Sequence, residues 1–380
     1  MPWFDLPLDQ LRDYRTGTAE PPDLDLWWRR RLDEARATAR PPVLARYETE
    51  IYAPVEVFDA EFSGADGDRI RAWYLRPPGA DGQTQVVVKF IGYGGGRGMP
   101  AEHALLPALG YAVFVMDTRG QGGRWTTGAT GDRHGDPAAG PENARVMTRG
   151  IARPEGYYYT RLFTDAVLAV EAASELTGAP RVAVSGVSQG GGLALATAAL
   201  VPQAVAICHA DVPFLCDIQR GITLAPEAPY NEIPEFLAHN VDLIPAALDT
   251  LRYVDCALLA RRITARCLLS VGLMDTICPP STVFAAYNEI PEFLAHNVDL
   301  IPAALDTLRY VDCALLARRI TARCLLSVGL MDTICPPSTV FAAYNEIAAG
   351  KDIAVHPFTG HQVPTAHVER QLRHLRDFLR

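Results

Sequence analysis

The chain has 380 residues, of which 49% are hydrophobic and 21% charged, and a formal net charge of −9. That composition excludes a disordered or collagen-like chain, and its apolar runs are too short to span a membrane. The acidic balance also argues against a nucleic-acid partner, which would need a basic footprint to displace counterions.

The first fifteen residues lack the basic start and apolar core of a secretory signal, so a cytoplasmic location is expected. Residues 23–38 read as an amphipathic helix, with Asp23 or Asp25 as cap. Alternating stretches at 54–62 and 69–76 predict two antiparallel strands joined across the turn-rich GADGD. From residue 85 the pattern changes. QVVVKFI, YAVFVM, RVAVSG and AVAICHA are short continuous apolar runs, as expected of strands buried on both faces of a parallel sheet. Helical segments separate them: AEHALLPAL, 159–177 and GGGLALATAALV. This alternation predicts an α/β class protein with a doubly wound, mostly parallel sheet and an N-terminal helical extension. Residues 124–146, rich in Gly, Asp, Pro and Thr, read as a long surface loop of the functional or mobile kind.

Residues 230–290 recur letter for letter as 287–347, so that 230–286 and 287–343 are tandem copies of one 57-residue segment. Removing one copy leaves 323 residues, a size that a single large α/β domain can fill, and residues 1–380 are read as one such domain. Two perfect copies do not make a solenoid, whose repeats are degenerate and number at least three. A tandem insertion into an otherwise complete domain is the better account. The repeat also deflates the cysteine count. Cys313, Cys324 and Cys335 duplicate Cys256, Cys267 and Cys278, which leaves five distinct positions and no C-x-x-C. Reduced thiols are expected.

The chemistry concentrates around Gly186-Val187-Ser188-Gln189-Gly190, a G-x-S-x-G that follows a strand and opens a small-residue helix. This is the context of a nucleophile elbow, in which a sharp turn holds the serine exposed above the sheet edge. A serine hydroxyl needs a general base and an orienting acid, which in this architecture follow in the order Ser, Asp, His. His361, after the strand DIAVHPF, has the right order and a post-strand loop position. The acid is Asp332 or its twin Asp275, each just after a copy of CLLSVGL. An oxyanion hole needs two backbone N–H groups. Gln189, after the nucleophile, supplies one, and Tyr93 in the loop GYGGG supplies the other. No metal or other cofactor is called for.

A rival reading uses the same loop. Gly96-Arg97-Gly98-Met99-Pro100-Ala101 matches G-x-G-x-x-A and is followed by Asp117 at the end of the next strand, as in a dinucleotide site. Five loop residues before Gly96 and the proline inside the motif count against it, and it leaves Ser188, His361 and the aspartates without a role.

GYGGGRG (92–98), MDTRGQGG (116–123), MTRGI (147–151), GVSQGGG (186–192), DVPFLCD (211–217), SVGLMDTICPPSTVFAAYN and Gly360-His361 together carry a resemblance to a known family. The chain resembles the acetyl xylan esterase and cephalosporin C deacetylase family, carbohydrate esterase family seven, over nearly its whole length once one repeat copy is set aside. The resemblance implies an α/β-hydrolase in which Ser188 is nucleophile, His361 base, Asp332 or Asp275 acid, and Tyr93 and Gln189 oxyanion donors. It further implies removal of O-acetyl groups from short xylo-oligosaccharides and related small esters without a metal, and a ring-like homo-hexamer. Gln362 departs from the family pattern, which has Glu after the histidine. A peptidase or lactonase of the same fold, or a homologue inactivated by the duplication, are the competing readings.

Loop lengths distinguish the two aspartates only slightly. Using Asp332 lengthens the Ser–Asp connection from 87 to 144 residues, whereas using Asp275 lengthens the Asp–His connection from 29 to 86. Ideal closure entropy makes these penalties about 0.45 and about 1.0 kcal/mol, which favours Asp332. Either choice leaves a spare CLLSVGL strand to pair at a sheet edge, to swap between subunits or to drive aggregation.

Overall fold

The computed structural model describes residues 4–47, 52, 54–132, 145–291, 312–362, 364, 367, 368 and 370–374. The chain divides into two compact units, Met1–His296 and Asn297–Arg380.

The first unit is built on an eight-stranded sheet. Its strands are β1 (Val43–Arg46), β2 (Glu56–Ser63), β3 (Arg69–Arg76), β4 (Val86–Phe90), β5 (Ala112–Met116), β6 (Val182–Val187), β7 (Val205–Asp211) and β8 (Arg266–Ser270), in the order β1-β2-β3-β5-β4-β6-β7-β8. β1, β2 and β3 run antiparallel, and from β5 to β8 every pairing is parallel. The two early strands expected from alternation pair through their whole length, from Glu56↔Arg76 to Ser63↔Arg69. The parallel strands are the continuous apolar runs; all five residues of β5 are buried. This is the doubly wound, mostly parallel α/β architecture that the alternation of strands and helices implied.

Helices cover the sheet. After α1 (Leu8–Asp13), α2 (Leu24–Thr38) buries Leu24, Trp27, Trp28, Leu32 and Ala35, a stripe spaced three to four residues apart. Asp23 stands at its N-cap but makes no capping bond; its carboxylate accepts the Tyr253 hydroxyl instead. The expected helix AEHALLPAL is shorter than its pattern: a 3-10 turn at Pro100–His103 precedes the single helical turn α3 (Leu105–Ala108). α4 (Tyr158–Thr177) is buried along most of its length and stops at Gly178, whose φ of +72° is a glycine conformation. α5 (Gln189–Leu200) follows β6 directly. Of the long loop at 124–146, residues 133–144 lie outside the described residues.

The duplicated segment adopts the same local structure twice, in different surroundings. In the first copy, α7 (Glu232–Leu237) and α8 (Ile244–Leu251), which follow α6 (Ile218–Leu224), lead to α9 (Cys256–Leu259), to β8 and to α10 (Pro280–Tyr287). In the second copy, residues 292–311 lie outside the described residues. The helix Cys313–Leu316, the strand β9 (Cys324–Gly329) and the helix Pro337–Glu346 repeat α9, β8 and α10. Four residues of α9 and seven of α10 are buried, whereas neither counterpart helix buries any. β9 pairs in parallel with β10 (Lys351–His356), from Lys351↔Cys324 to His356↔Gly329. All eight cysteines are free: Cys256, Cys267 and Cys278 are buried, while their twins are exposed or half-exposed. Among the described residues no helix is long and apolar enough to cross a membrane.

Candidate active site

Ser188 occupies the junction between β6 and α5 with φ +56° and ψ −119°, a strained conformation for a residue with a side chain. The turn is held from three directions. The Ser188 N–H donates to the Asp211 carbonyl (2.9 Å), and the Ser188 carbonyl accepts from Gly192 and Phe214 (both 3.0 Å). The glycines permit close approach: a Cβ on Gly186 would stand 2.2 Å from Gly190 C, and one on Gly190 would stand 2.3 Å from Phe90 O. Backbone that tight admits only glycine. Ser188 is left partly exposed at the end of the strand, as a nucleophile elbow requires.

Tyr93 lies in the turn after β4. Its hydroxyl donates to Glu232 Oε1 (2.8 Å) and accepts from the Val146 N–H (3.0 Å), and its carbonyl accepts from Trp125 Nε1 (2.8 Å). Burial, reinforced by the Glu232 charge, raises the Tyr93 hydroxyl far above its ordinary pKa, so it stays protonated. The Glu232 carboxyl is likewise pushed up by burial. Among the described residues no acceptor takes the backbone N–H of Tyr93 or of Gln189. These are the two donors expected for an oxyanion.

A buried amide network fixes these two segments. Gln121 Oε1 accepts from the Gly94 N–H (2.6 Å), and Gln121 Nε2 donates to Gln189 Oε1 (3.0 Å) and to the Tyr158 hydroxyl (2.9 Å). Gln189 also accepts the Tyr159 hydroxyl (3.1 Å) and donates to the Ile91 carbonyl (3.2 Å). The side chain of Gln189 therefore clamps the loop after β4 while its backbone N–H stays free. Sequence reasoning gave Gln189 only a backbone role and overlooked Gln121 and Glu232. The quoted RGQGG motif contains Gln121, but nothing local marked Glu232.

The same motif removes the dinucleotide reading on geometric grounds. Asp117 is fully buried, and its two oxygens accept the N–H groups of Arg97 (2.7 Å) and Ala129 (2.6 Å). A Cβ on Gly96 would meet Gly128 Cα at 2.2 Å, so that segment is packed against its own loop. Asp117 braces the loop and has no free oxygen for a ribose.

The two repeat copies each place an aspartate in the turn after their strand. In the first unit, Asp275 Oδ1 accepts the N–H groups of Ile277 and Cys278, both at 2.9 Å. Cys278 Sγ lies 4.0 Å from Ser188 Oγ, so this turn adjoins the elbow. Burial, then the Asp275 charge, pushes the Cys278 thiol up to about 12, which makes it a neutral neighbour of the serine and no base. In the second unit, Asp332 Oδ1 accepts from Ile334 (2.9 Å) and Cys335 (2.8 Å), and Asp332 Oδ2 lies 3.0 Å from His361 Nδ1. Desolvation acts upward on the Asp332 carboxyl, but the bonds from Cys335, His361 and Ile334 outweigh it and hold the group below its ordinary range. His361 is half-exposed. An imidazole oriented through Nδ1 by a carboxylate leaves Nε2 to exchange a proton. Ser188, Gln189, Tyr93 and Asp275 thus belong to the first unit, and His361 and Asp332 to the second.

The chain matches the family model of acetyl xylan esterase (AXE1) twice, over residues 1–300 and 292–378. It is 28% identical to an acetyl esterase, Axe7A, of Xylanibacter ruminicola over 278 residues, which covers 72% of this chain and 61% of that protein. The chain therefore spans about three-fifths of the length of this curated relative. Among solved structures it is similar to an acetyl xylan esterase from Paenibacillus sp. R4 (29% identity, TM-score 0.66), with 98% of this chain and 99% of that one covered. It is similar also to acetyl xylan esterase 1 from Thermoanaerobacterium sp. JW/SL YS485 (29% identity, TM-score 0.65), with 97% and 98% covered.

Proposed function

Because this chain belongs to the acetyl xylan esterase (AXE1) family, we propose that it is a serine carboxylesterase that removes O-acetyl groups from short acetylated xylo-oligosaccharides and related small esters, including those of the cephalosporin C type. The strained, partly exposed Ser188 at the β6–α5 junction carries the reading, because a fold pays for such a conformation where a nucleophile is needed. Ser188 Oγ attacks the acetyl carbonyl as His361 takes its proton, and Asp332 holds the imidazole in the correct tautomer. The N–H groups of Gln189 and Tyr93 receive the oxyanion. Collapse of the tetrahedral intermediate breaks the bond to the sugar oxygen, which leaves with the proton from His361. Water then attacks the acetyl-enzyme, giving acetate and restoring Ser188. The resemblance supports a homo-oligomer, with a hexameric ring as the expected assembly.

The test is acetate release from acetylated xylo-oligosaccharides and from p-nitrophenyl esters of rising acyl length. Acetyl esters are expected to be the best substrates, and Ser188→Ala is expected to lower kcat by about four orders of magnitude or more. Preference for long acyl chains would overturn the deacetylase assignment. Near-normal turnover by Ser188→Ala would overturn the nucleophile.

A further inference from the structure

In the second unit, backbone bonds lace two turns together. β9 and β10 pair as far as His356↔Gly329, and beyond them Leu330 and Met331 donate to the carbonyls of His356 (3.0 Å) and Thr359 (3.1 Å). A Cβ on Gly329 would stand 2.3 Å from the Thr359 carbonyl oxygen, so the two segments meet at backbone distance. The first turn carries Asp332 and Cys335, and the second carries His361. Asp332 Oδ1 accepts the Cys335 N–H (2.8 Å), which fixes the cysteine relative to the carboxylate, while Asp332 Oδ2 faces His361 Nδ1 at 3.0 Å.

A carboxylate oxygen, an imidazole nitrogen and the Cys335 Sγ thereby lie within 4.8 Å of one another. The three donors differ in softness, and a thiolate among them suits a borderline-soft cation such as Zn²⁺, not Mg²⁺ or Ca²⁺. Zinc bonds of about 2.0–2.3 Å in a tetrahedron place such ligand atoms roughly 3.4–3.6 Å apart, which small side-chain rotations here achieve. Three protein ligands leave the fourth position to water. The first copy gathers no such set. Cys278 is buried, 4.0 Å from Ser188 Oγ, whereas Cys335 is exposed, and among the described residues no other three such side chains converge. The second copy presents to solvent a thiol that the first copy buries.

The geometry points to a zinc-type site at Asp332, Cys335 and His361, in which the cation replaces the Asp332–His361 hydrogen bond. The cation bonds to a carboxylate oxygen, to Sγ and to one imidazole nitrogen. The thiol proton passes to solvent, and the imidazole keeps a proton on its other nitrogen. An imidazole held in this way has no lone pair to accept a proton, so the cation also switches off His361 as a base. That consequence rests on the esterase reading; the site does not.

Co²⁺, which takes the ligands of Zn²⁺ and shows a thiolate-to-metal charge-transfer band, is the probe. Titrated into the reduced full-length chain without an affinity tag, it is expected to raise this band, saturating at one ion per chain, and Zn²⁺ to remove it. Cys335→Ser is expected to lose the band and His361→Ala to weaken binding about tenfold or more, whereas Cys313→Ser, at another exposed cysteine, keeps both. A band that survives Cys335→Ser, or Co²⁺ bound by the natural chain without one, overturns the site. A second readout uses the natural chain alone: saturating Zn²⁺ is expected to slow iodoacetamide alkylation of Cys335 about tenfold or more and leave Cys313 unaffected. An unchanged rate at Cys335 also overturns the site. For the switch, acetate release is expected to fall with rising Zn²⁺, and Cys335→Ser to need about tenfold more Zn²⁺ for the same loss. Equal sensitivity overturns the switch. If the metal-free natural chain releases no acetate, the esterase reading fails, and the Co²⁺ spectrum still decides the site.

Discussion

The Tyr93 hydroxyl donates to Glu232 Oε1 at 2.8 Å, and both groups are buried beside the turn that offers the Tyr93 N–H. Tyr93→Phe would leave Glu232 and the Val146 N–H each short of a buried partner. The expected cost is about 1–3 kcal/mol in urea unfolding, with a fall in kcat as the oxyanion donor loses its anchor. Unchanged stability and turnover would show that the hydroxyl is not what fixes this loop.

The twin cysteines give a chemical readout of the two environments. Cys278 is buried and its thiol raised to about 12, whereas Cys335 is exposed. Only the thiolate alkylates. Brief treatment of the native chain with iodoacetamide is therefore expected to modify Cys335 and spare Cys278, read from the two tryptic peptides, which differ after residues 290 and 347. Equal labelling would mean that the copies share one environment.

Asp255 and Asp312 are another such pair. The Asp255 carboxylate is fully buried and accepts the N–H groups of Asp217, Ile218 and Ala257, while that of Asp312 is exposed and, among the described residues, accepts only the N–H of Ala314. Burial, then the charge of Asp217, pushes the Asp255 carboxyl up to about 7 from 3.8. A raised folded-state pKa means that its contribution to stability is fully present below the unfolded value and is lost as pH rises through about 7. The Tm advantage of the natural chain over Asp255→Asn is expected to shrink between pH 5 and pH 8. A constant difference for Asp255→Asn across that range would refute the shift.

Gly190 lets α5 meet the end of β4, and a Cβ there would stand 2.3 Å from the Phe90 carbonyl oxygen. Backbone on both sides cannot yield, so Gly190→Ala should cost roughly 3 kcal/mol or prevent folding. Gly156→Ala, with nothing within 4 Å of the added atom, should stay within about 0.5 kcal/mol. Denaturant midpoints of the two variants make the comparison, and similar losses would show that Gly190 is not a packing constraint.

Much of the fold was legible because its signals are local. Continuous apolar runs marked β4 to β7, alternation marked β2 and β3, and a glycine-flanked serine between a strand and a helix marked the elbow. The misreadings also have local causes. AEHALLPAL has helical composition, but Pro107 and the turn at Pro100 cut it to a single helical turn. Asp23 has the right position for a cap, yet a distant tyrosine claims its carboxylate. Glu232 could not be found from its neighbours, since Tyr-Asn-Glu-Ile occurs three times, as residues 230–233, 287–290 and 344–347. Glu232 braces Tyr93, Glu289 pairs with Arg15 and Glu346 pairs with Arg318.

The sequence by itself determined the architecture, the elbow serine and the local turn that each aspartate occupies, since these follow from periodicity, glycine sterics and side-chain bonds to nearby N–H groups. Identical copies carry identical local preferences, so nothing local could assign them different places. Tertiary structure decided that the first copy supplies β8 and its buried helices, because β7 and α5 offer apolar surface for one such segment only. It likewise decided that Asp332, and not Asp275, holds His361 in the pairing seen, because the strand ahead of the histidine lies on β9.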